Sequence, residues 1–319
     1  MVVTFPMAST REAYGKTLVA LGHENPDIVV LGADLNRSTF TYLFAREFPE
    51  RFFDFGAAEQ NMLGAAAGLA ASGKVPFCST FAVFGTGRAF DQIRVGVAQP
   101  HLNVKLVCTH AGLLTGEDGM SAQAIEDVAL MCSLPGMTVI TPADAVETAQ
   151  AVRAAAAYRG PVYLRLYRPA TPVVHPSGEC RFAIGRAEEL RAGGDVTLIA
   201  CGTMVAAALE AAETLAQDGI ACRVVNMATV KPLDEEAVVR AARETRAIVT
   251  AEEHYVHGGL ASAVGQVLGR RHPVPLEVVG VDRYAESGAP AQLLEKYGLT
   301  ARDVAAAARR ALARKAGML

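Results

Sequence analysis

Residues 52–62 read Phe-Phe-Asp-Phe-Gly-Ala-Ala-Glu-Gln-Asn-Met, so an aromatic run is followed directly by small and helix-favouring residues. The aromatic run predicts a strand, and its continuation predicts a helix that begins near Ala58. The same alternation of a short apolar run and an alanine-rich stretch recurs along the chain. It is typical of an α/β protein, in which helices cover both faces of a mostly parallel sheet.

Further strands are predicted on both sides of this stretch. In the first half they lie at 28–32, 52–56, 75–79, 104–109, 137–140 and 162–166, and helices begin near Ser9, Ala58, Gly87, Ser121 and Ala143. The second half continues with strands at 195–200, 221–225, 247–251 and 276–281. Three prolines between Pro169 and Gly185 interrupt the alternation and indicate a linker or crossover. We therefore predict two domains, 1–175 and 190–319, joined by a linker at 176–189, each with a mostly parallel sheet flanked by helices.

The composition argues against several classes of function. Thirty basic and 33 acidic residues leave a net charge of -3, which gives no electrostatic reason to expect binding to nucleic acid or to an anionic membrane. The longest apolar run, 62–71, is too short to cross a bilayer. The six cysteines form no Cys-x-x-Cys pair, which suits a reducing cytoplasm. A hydrophobic fraction of 51% indicates a buried subunit interface.

Three short motifs come close to ligand-binding patterns but fail on physical grounds. Residues 68–74 imitate a phosphate-binding loop, but Val75 stands where a hydroxyl group should meet magnesium. Residues 85–90 begin like a dinucleotide fingerprint, but Phe90 occupies the third glycine position, which favours a helix start. Residues 252–257 offer two carboxylates and two histidines, but the His-x-x-His spacing is short and no further ligands accompany it. We therefore predict no metal ligand in this chain.

Other motifs, in a fixed order, carry a family resemblance. They are Gly32-Ala33-Asp34-Leu35, residues 54–61, residues 79–84, Thr109-His110-Ala111-Gly112, Gly116-Glu117-Asp118-Gly119, residues 229–234 and residues 252–260. On these motifs, nearly the whole chain resembles the C-terminal two thirds of transketolase, and most closely the second subunit of split transketolases. The resemblance implies a pyrimidine-binding domain for thiamine diphosphate in the first half and a transketolase C-terminal domain in the second.

The resemblance also implies roles around the cofactor. The family glutamate that matches Glu59 bonds the aminopyrimidine ring of thiamine diphosphate and activates it as an acid/base. Phe81 and Phe84 match aromatic residues that pack around this ring, and Leu35 matches a residue that holds the cofactor in its bent shape. The alternative for the two phenylalanines is ordinary core packing. The implied cofactor-binding residues are Glu59, Phe81, Phe84, Leu35, Asp34 and Arg88.

Substrate recognition is implied by the same resemblance. His110 follows a predicted strand at its carboxyl end, where open α/β sheets bind ligands, and it matches a family histidine near the sugar phosphate, which makes it a second catalytic candidate. Asp118 matches an aspartate that bonds a sugar hydroxyl, and Arg11, Ser38 and Arg168 match contacts to the phosphate. Simpler interpretations remain open, because Arg11 also suits a first helical turn, Ser38 a cap, and Arg168 a solvent-facing linker.

One departure from the family concerns the donor substrate. The family usually has a histidine three residues after the position of Gly119, where this chain has Ala122. Loss of a positioned proton carrier commonly costs about a hundredfold or more in rate. The departure therefore makes a specialised donor or acceptor plausible.

The chain lacks the other half of the cofactor site. Family members hold the cofactor diphosphate through Mg2+ (or Ca2+) on a Gly-Asp-Gly segment and a later Asn, and this sequence contains no Gly-Asp-Gly. The resemblance thus implies that a separate diphosphate-binding subunit binds the metal, in an α2β2 assembly. The leading hypothesis is transfer of a two-carbon ketol unit between phosphorylated sugars. The alternatives are a thiamine enzyme acting on a 2-oxo acid, such as a deoxyxylulose phosphate synthase or an oxo acid dehydrogenase beta subunit, and a non-catalytic scaffolding chain.

Overall fold

The computed structural model describes residues 5–176, 178 and 180–317, which form two mostly parallel sheets flanked by helices and a two-stranded ribbon. The strands are β1 (Met7–Ala8), β2 (Ile28–Gly32), β3 (Phe52–Asp54), β4 (Val75–Phe81), β5 (Lys105–Thr109), β6 (Thr138–Ile140), β7 (Val162–Arg165), β8 (Thr171–Pro172), β9 (Glu188–Arg191), β10 (Val196–Ala200), β11 (Cys222–Asn226), β12 (Thr229–Lys231), β13 (Ile248–Tyr255) and β14 (Leu276–Val281). The α-helices are α1 (Thr10–Glu24), α2 (Tyr42–Glu47), α3 (Glu59–Ala71), α4 (Asp127–Cys132), α5 (Ala145–Ala157), α6 (Met204–Gln217), α7 (Glu235–Thr245), α8 (Leu260–Arg271), α9 (Pro290–Lys296) and α10 (Ala301–Lys315). The predicted α/β class is confirmed.

The first sheet has seven strands in the order β12-β6-β7-β5-β4-β2-β3. All neighbouring strands run parallel except the edge pair of β12 and β6. Strands β2, β5 and β7 are buried at every position, as expected when helices cover both faces of a parallel sheet. Because the strands are parallel, the carboxyl ends of β2, β3, β4 and β5 lie at the same edge. Chain segments that leave this edge can therefore build one site.

The second sheet has five strands in the order β14-β13-β10-β11-β9, of which only β9 runs antiparallel to its neighbour. Helices α6 and α10 pack against each other through alanine side chains that are fully buried, among them Ala208, Ala212, Ala307 and Ala308. Such small side chains allow two helices to pack closely on one sheet. The alanine-rich stretches of the sequence thus form the helical layer of this second core.

Two predicted helix starts differ from the structure. The helix predicted near Ser121 is wrong, because α4 begins only at Asp127 and the preceding segment 113–118 is a 3-10 helix. Gly112, Gly116 and Gly119 take φ values of 70°, 73° and 74°, which interrupt any α-helix in this segment. The helix predicted near Gly87 begins earlier, as a π-helical turn at Phe84–Arg88, and a second π-helical segment follows at Gln92–Ala98.

The two sheets do not follow the predicted domain boundaries strictly. Strand β12 comes from the second half of the chain but pairs with β6 of the first sheet, with Thr229 opposite Ile140. Strand β9 begins at Glu188, inside the predicted linker 176–189. The domain limits at 175 and 190 stay a prediction. The pairing of β12 with β6 shows that both halves of the chain contribute strands to the first sheet.

Two further expectations concern disulfide bonds between the cysteines and helices that could cross a membrane. All six cysteines lie in the described part of the chain, and each is a free thiol. None of the helices in that part combines the length and the apolarity that a bilayer crossing requires.

Candidate active site

The carboxyl edge of the first sheet gathers the predicted site residues. Glu59 is the first residue of α3 and follows β3 after a short turn. Phe81 is the last residue of β4, and His110 comes directly after β5. Three neighbouring parts of the same edge therefore contribute the side chains that the sequence singled out.

Glu59 lies at the centre of this edge, and its charge partner is Arg88. The side chain of Glu59 is 4% exposed, whereas that of Arg88 is 55% exposed. Arg88 Nη1 lies 3.3 Å from Glu59 Oε1 and 3.5 Å from Oε2. A cavity of about 550 Å³ opens beside this pair and is lined by residues 57–61 and Arg88. The buried carboxylate can thus be reached by a ligand if the exposed arginine gives way or shares the contact.

A chain of stacked groups leads from Arg88 to His110. The Arg88 guanidinium lies 4.0 Å from the ring centroid of Phe84. The rings of Phe84 and Phe81 are stacked with centroids 5.8 Å apart, and Phe81 stacks on the imidazole of His110 at 3.6 Å. The structure therefore brings Glu59, Arg88, Phe84, Phe81 and His110, which come from separate motifs, into one continuous set of contacts.

His110 is held in an uncommon backbone conformation and in a strongly perturbed environment. Its φ is 56°, a region that non-glycine residues rarely adopt outside constrained sites. Thr115 donates its hydroxyl to the His110 carbonyl at 2.6 Å, and Thr109 Oγ1 lies 2.8 Å from His110 Nδ1. Burial, together with the positive charges of Arg11 and Arg168, lowers the pKa of His110 to about 3. The imidazole is therefore neutral at physiological pH.

Two arginines meet beside His110. Arg11 Nη1 donates to the Ser38 carbonyl at 2.6 Å, and Nη2 donates to the carbonyl of Arg168. Burial and the charge of Arg168 lower the pKa of Arg11 from its ordinary value. Arg11 lies in the first turn of α1, as its interpretation as a helix-start residue predicts. Its guanidinium also bonds the carbonyls of Ser38 and Arg168, which are distant in sequence and which a helix start does not need. Ser38 contributes its backbone carbonyl to this contact.

Arg168 reaches the glycine-rich segment that contains Asp118. Its Nη1 donates to the Thr115 carbonyl at 2.5 Å and lies 3.0 Å from Glu117 Oε2 and 3.4 Å from Asp118 Oδ1. The side chain of Arg168 is 35% exposed, so it faces both protein and solvent. The structure therefore brings Arg11, Ser38, Asp118 and Arg168 together, next to His110.

Asp34 and Leu35 lie in the turn after β2, where one carboxylate organises the backbone. Asp54 Oδ1 accepts hydrogen bonds from the N–H groups of Asp34 and Gly56, each at 3.0 Å, and Oδ2 accepts one from Asn36 Nδ2 at 2.5 Å. Burial acts to raise the pKa of Asp54, but these hydrogen bonds outweigh it and lower the pKa from its ordinary value. Asp34 is exposed with a φ of 62°, and Leu35 is half-buried.

Sequence reasoning missed Asp54 and Thr115 as organisers of the site. The signal for Asp54 was present, because an aspartate two residues before a glycine at the end of a strand is typical of a turn closed by the side chain. Thr115 gave no such signal, since its hydroxyl bonds the carbonyl of His110 only after the loop has folded back.

Family models match both halves of the chain. The model of the transketolase pyrimidine binding domain matches residues 6–173, and the model of the transketolase C-terminal domain matches residues 185–304. The chain belongs to the transketolase family. This confirms the predicted resemblance, and it associates the chain with a family that depends on thiamine diphosphate.

Named relatives are similar to the chain over most of its length. A 6-deoxy-6-sulfo-D-fructose transketolase subunit of Clostridium sp. (strain MSTE9) is 45% identical, over 96% of this chain and 95% of its own. A Methanocaldococcus jannaschii protein named as a transketolase C-terminal section is 46% identical, over 92% of this chain and 93% of its own. Human transketolase is 41% identical over 97% of this chain, which spans 49% of the human protein.

Solved structures agree with this relationship. A structure described as a split gene transketolase in an inactive beta4 tetramer has 56% sequence identity and a TM-score of 0.91, covering 96% of this chain and 99% of that one. Transketolase from Leishmania mexicana has 25% identity and a TM-score of 0.81, covering 98% of this chain and 47% of that one. The chain thus matches a separate subunit in one case and about half of a longer chain in the other.

Proposed function

We propose that this chain is the pyrimidine-domain subunit of a split, thiamine diphosphate-dependent transketolase that transfers a two-carbon ketol unit between phosphorylated sugars. The observation that carries the proposal is the buried carboxylate of Glu59, which opens onto a cavity and adjoins the stacked rings of Phe84 and Phe81. A carboxylate in this setting suits proton exchange with a ring nitrogen, and the aromatic faces suit a flat heterocycle.

The residues at the sheet edge fit the pyrimidine end of thiamine diphosphate. When bound, the cofactor supplies the carbanion chemistry that breaks and forms carbon–carbon bonds. Glu59 would hold a proton at the ring nitrogen, while Phe81 and Phe84 would cover the ring and exclude water. Leu35 and Asp34, in the turn fixed by Asp54, would support the bend of the cofactor. Arg88, now paired with Glu59 at 3.3 Å, would move toward solvent or share the carboxylate.

The diphosphate end of the cofactor requires a partner subunit. The sequence has no Gly-Asp-Gly segment, and the one carboxylate among the residues that line the cavity is that of Glu59 itself, which pairs with Arg88. We therefore assign the metal and the diphosphate to a companion chain that carries such a segment, in an α2β2 assembly. The relative described as an inactive beta4 tetramer supports this division, since it associates the lone subunit with lack of activity.

The substrate would bind on the far side of His110 from Phe81. Arg11 and Arg168 would hold the terminal anionic group of a sugar, neutral His110 would hydrogen-bond the substrate, and Asp118 would accept a hydrogen bond from a sugar hydroxyl. A 6-sulfonated ketose is a second candidate donor. It is favoured by the 45% identical relative named for 6-deoxy-6-sulfo-D-fructose and by Ala122, which replaces the usual donor-side histidine.

Reconstitution with the companion chain tests the proposal. The two chains, thiamine diphosphate and Mg2+ are mixed with phosphorylated and sulfonated ketoses and an aldose acceptor, and two-carbon transfer is measured. The Glu59→Gln variant should lose about a hundredfold to ten-thousandfold in rate, because the amide cannot exchange the proton. Glu47→Gln changes an exposed carboxylate whose ion-pair partner among the described residues is His23, so it is the matched control and should keep full activity.

Other outcomes would replace the proposal. Release of carbon dioxide from pyruvate, without ketol transfer, would favour the 2-oxo acid enzyme. An unchanged rate in complexes that contain Glu59→Ala would favour a scaffolding chain. Full activity of the isolated chain with the cofactor would contradict the need for a partner.

A further inference from the structure

Three potential metal ligands converge on the segment that follows β8 and leads into β9. The imidazole of His175, the thiol of Cys180 and the carboxylate of Glu188 each offer one ligand atom, and these atoms all lie within 4.8 Å of one another. His175 Nε2 lies 3.0 Å from Glu188 Oε2. A tetrahedral zinc ion with bonds of about 2.0–2.3 Å separates its ligand atoms by about 3.3–3.8 Å, so small side-chain adjustments would suffice.

The orientation of His175 is set by a carboxylate on its other nitrogen. His175 Nδ1 lies 2.8 Å from Asp144 Oδ2, and this oxygen also accepts the N–H groups of Val174 at 2.8 Å and His175 at 2.9 Å. Asp144 is fully buried, and its other oxygen caps α5 by accepting the N–H of Glu147. A buried carboxylate that orients a histidine in this way is the usual support of a metal-binding imidazole. Nε2 is thereby directed toward Glu188.

The two nitrogens of His175 each face a carboxylate, that of Asp144 and that of Glu188. Among the residues that the structure describes, Asp144 and Glu188 have His175 as their one ion-pair partner. Two carboxylates and a thiol thus meet around a single imidazole. Thiolate, imidazole and carboxylate together are a ligand set that suits Zn2+, whereas Mg2+ and Ca2+ prefer oxygen ligands alone.

We propose that His175, Cys180 and Glu188 form a zinc site that fastens the segment between the two domains. The half-exposed positions of Cys180 and Glu188 leave the fourth coordination position to water. On binding, the thiol of Cys180 and the Nε2 of His175 that faces Glu188 each release a proton to solvent, the zinc–sulfur and zinc–nitrogen bonds form, and no oxidation or reduction occurs. This proposal departs from the expectation that the chain holds no metal ligand.

The position of the site defines what the ion would do. His175 follows β8, Glu188 is the first residue of β9, and the two are thirteen positions apart. Asp144 ties the same cluster to α5 of the first half. A zinc ion here would close the connecting loop and join both halves of the molecule, which is a stabilising role distinct from the chemistry at Glu59.

Metal binding by the full-length chain tests the site directly. The chelator-treated protein is titrated with Zn2+ against a chromophoric chelator, and with Co2+ while thiolate-to-cobalt charge-transfer absorption is recorded. We expect one equivalent of zinc, a cobalt–thiolate band, and a higher melting temperature with zinc than without. Cys180→Ser should abolish the band and weaken zinc binding at least a hundredfold. Cys132→Ser, a half-buried thiol outside the cluster, is the matched control and should keep both signals.

Two further variants keep the test independent of folding. Glu188→Gln changes a side chain that is 35% exposed, and it should weaken zinc binding while leaving the circular dichroism spectrum unchanged. Asp144→Asn should weaken binding by about tenfold to a hundredfold, because it loosens the orientation of the imidazole. If the unaltered chain binds no zinc, or if Cys180→Ser and Glu188→Gln bind it as tightly as the unaltered chain, the cluster is an Asp–His–Glu ion triad and the proposal is overturned.

Discussion

The imidazole of His110 stacks on Phe81 at 3.6 Å and senses the positive charges of Arg11 and Arg168. Burial and these charges lower its pKa to about 3, so the neutral form persists far below the usual value near 6.5. We predict that the ring resonances of His110 do not shift between about pH 5 and pH 8 in an NMR titration. Comparison with the spectrum of His110→Gln identifies these resonances. A transition of His110 itself near pH 6 would contradict the prediction.

A second prediction at the residue scale concerns the planar guanidinium group of Arg168. Its guanidinium bonds Thr115, Glu117 and Asp118, and in the proposed function it also meets the anionic group of the sugar. Lysine keeps the charge but loses the paired geometry, and charge-assisted hydrogen bonds contribute about 1.5–3 kcal/mol. In the reconstituted enzyme, Arg168→Lys should raise KM for the phosphorylated substrate about tenfold or more, with a smaller effect on kcat.

The control for this prediction is Arg46→Lys. Arg46 lies over the ring of Tyr42 and has no contact with Arg168, Asp118 or His110 among the described residues. Its variant should leave KM unchanged. If Arg168→Lys lowers kcat and leaves KM as it was, the residue acts on the chemical step, and its assignment to anion binding is wrong.

At the scale of elements, helix α8 shows how a buried carboxylate begins a helix. Glu252 Oε2 accepts the N–H of Leu260, and Oε1 accepts that of Ala261, each at 2.8 Å. Glu252 is 1% exposed, so removal of its side chain leaves two backbone donors without partners. We predict that Glu252→Ala lowers the free energy of unfolding by about 2–4 kcal/mol in denaturant titrations.

Glu252→Gln provides the graded comparison. Its amide oxygen can still accept one of the two N–H groups, so the loss should be smaller than for alanine. Glu236→Ala, on the exposed face of α7, is the control, since its surface pair with Arg271 is screened by solvent and contributes little to stability. Equal losses for Glu252→Ala and Glu236→Ala would show that the cap adds nothing beyond a surface ion pair.

The elements that could be predicted from sequence are those in which the local residue pattern is enough to determine the secondary structure. Strands β2 and β14 were predicted with their observed limits, because β2 is a continuous apolar run that is buried at every position and the valine-rich stretch of β14 favours an extended strand. Strand β12 is three residues long and lies at an edge, where pairing with β6 rather than composition decides it. The irregular segment before α4 depends on positive φ at three glycines, which a helix-period pattern conceals.

The candidate site likewise contains residues whose positions could be predicted from sequence and contacts that could not. The location of Glu59 at the start of a helix, and of Phe81 and His110 at strand ends, could be predicted because all three lie within motifs of one family. The ion pair of Glu59 with Arg88 was not predictable, since it joins a helix to a π-helical turn across 29 positions. Contacts between distant segments, such as Arg168 with Thr115, depend on the tertiary fold rather than on local pattern.

At the scale of the whole molecule, buried polar groups join the two halves of the chain. Arg165 of the first sheet pairs with Asp127 at 2.8 Å and donates to the carbonyl of Glu253 at 2.9 Å. Glu253, in β13 of the second sheet, accepts the N–H of Leu114 at 2.8 Å and the hydroxyl of Thr203 at 2.9 Å. Such a network stabilises one relative arrangement of the halves, because every broken contact would leave a buried polar group unpaired. The sequence motif at 252–254 therefore serves the interface between domains.

The protonation state of the Glu253 carboxyl group makes the stability of this interface depend on pH. Burial is the main cause that raises the pKa of Glu253, to about 7 from 4.5, although Arg165 and two hydrogen bonds act to lower it. A folded-state pKa above the unfolded value means that the folded protein binds more protons between these two values. The contribution of Glu253 is therefore fully present below about pH 4.5 and is lost as pH rises through about 7, a change of about 3 kcal/mol at most.

Glu253→Gln isolates this effect, because its side chain is neutral at every pH. The free energy of unfolding of the variant minus that of the unaltered chain should increase as pH rises from about 5 to about 8, by up to roughly 3 kcal/mol. Denaturant titrations at several pH values measure this difference, and other titrating groups cancel in it. Glu295→Gln, an exposed side chain of α9, should give a small difference that does not change with pH. A difference for Glu253→Gln that stays constant over this range would mean that the buried carboxyl is ionised throughout, with Arg165 as its effective counter-charge.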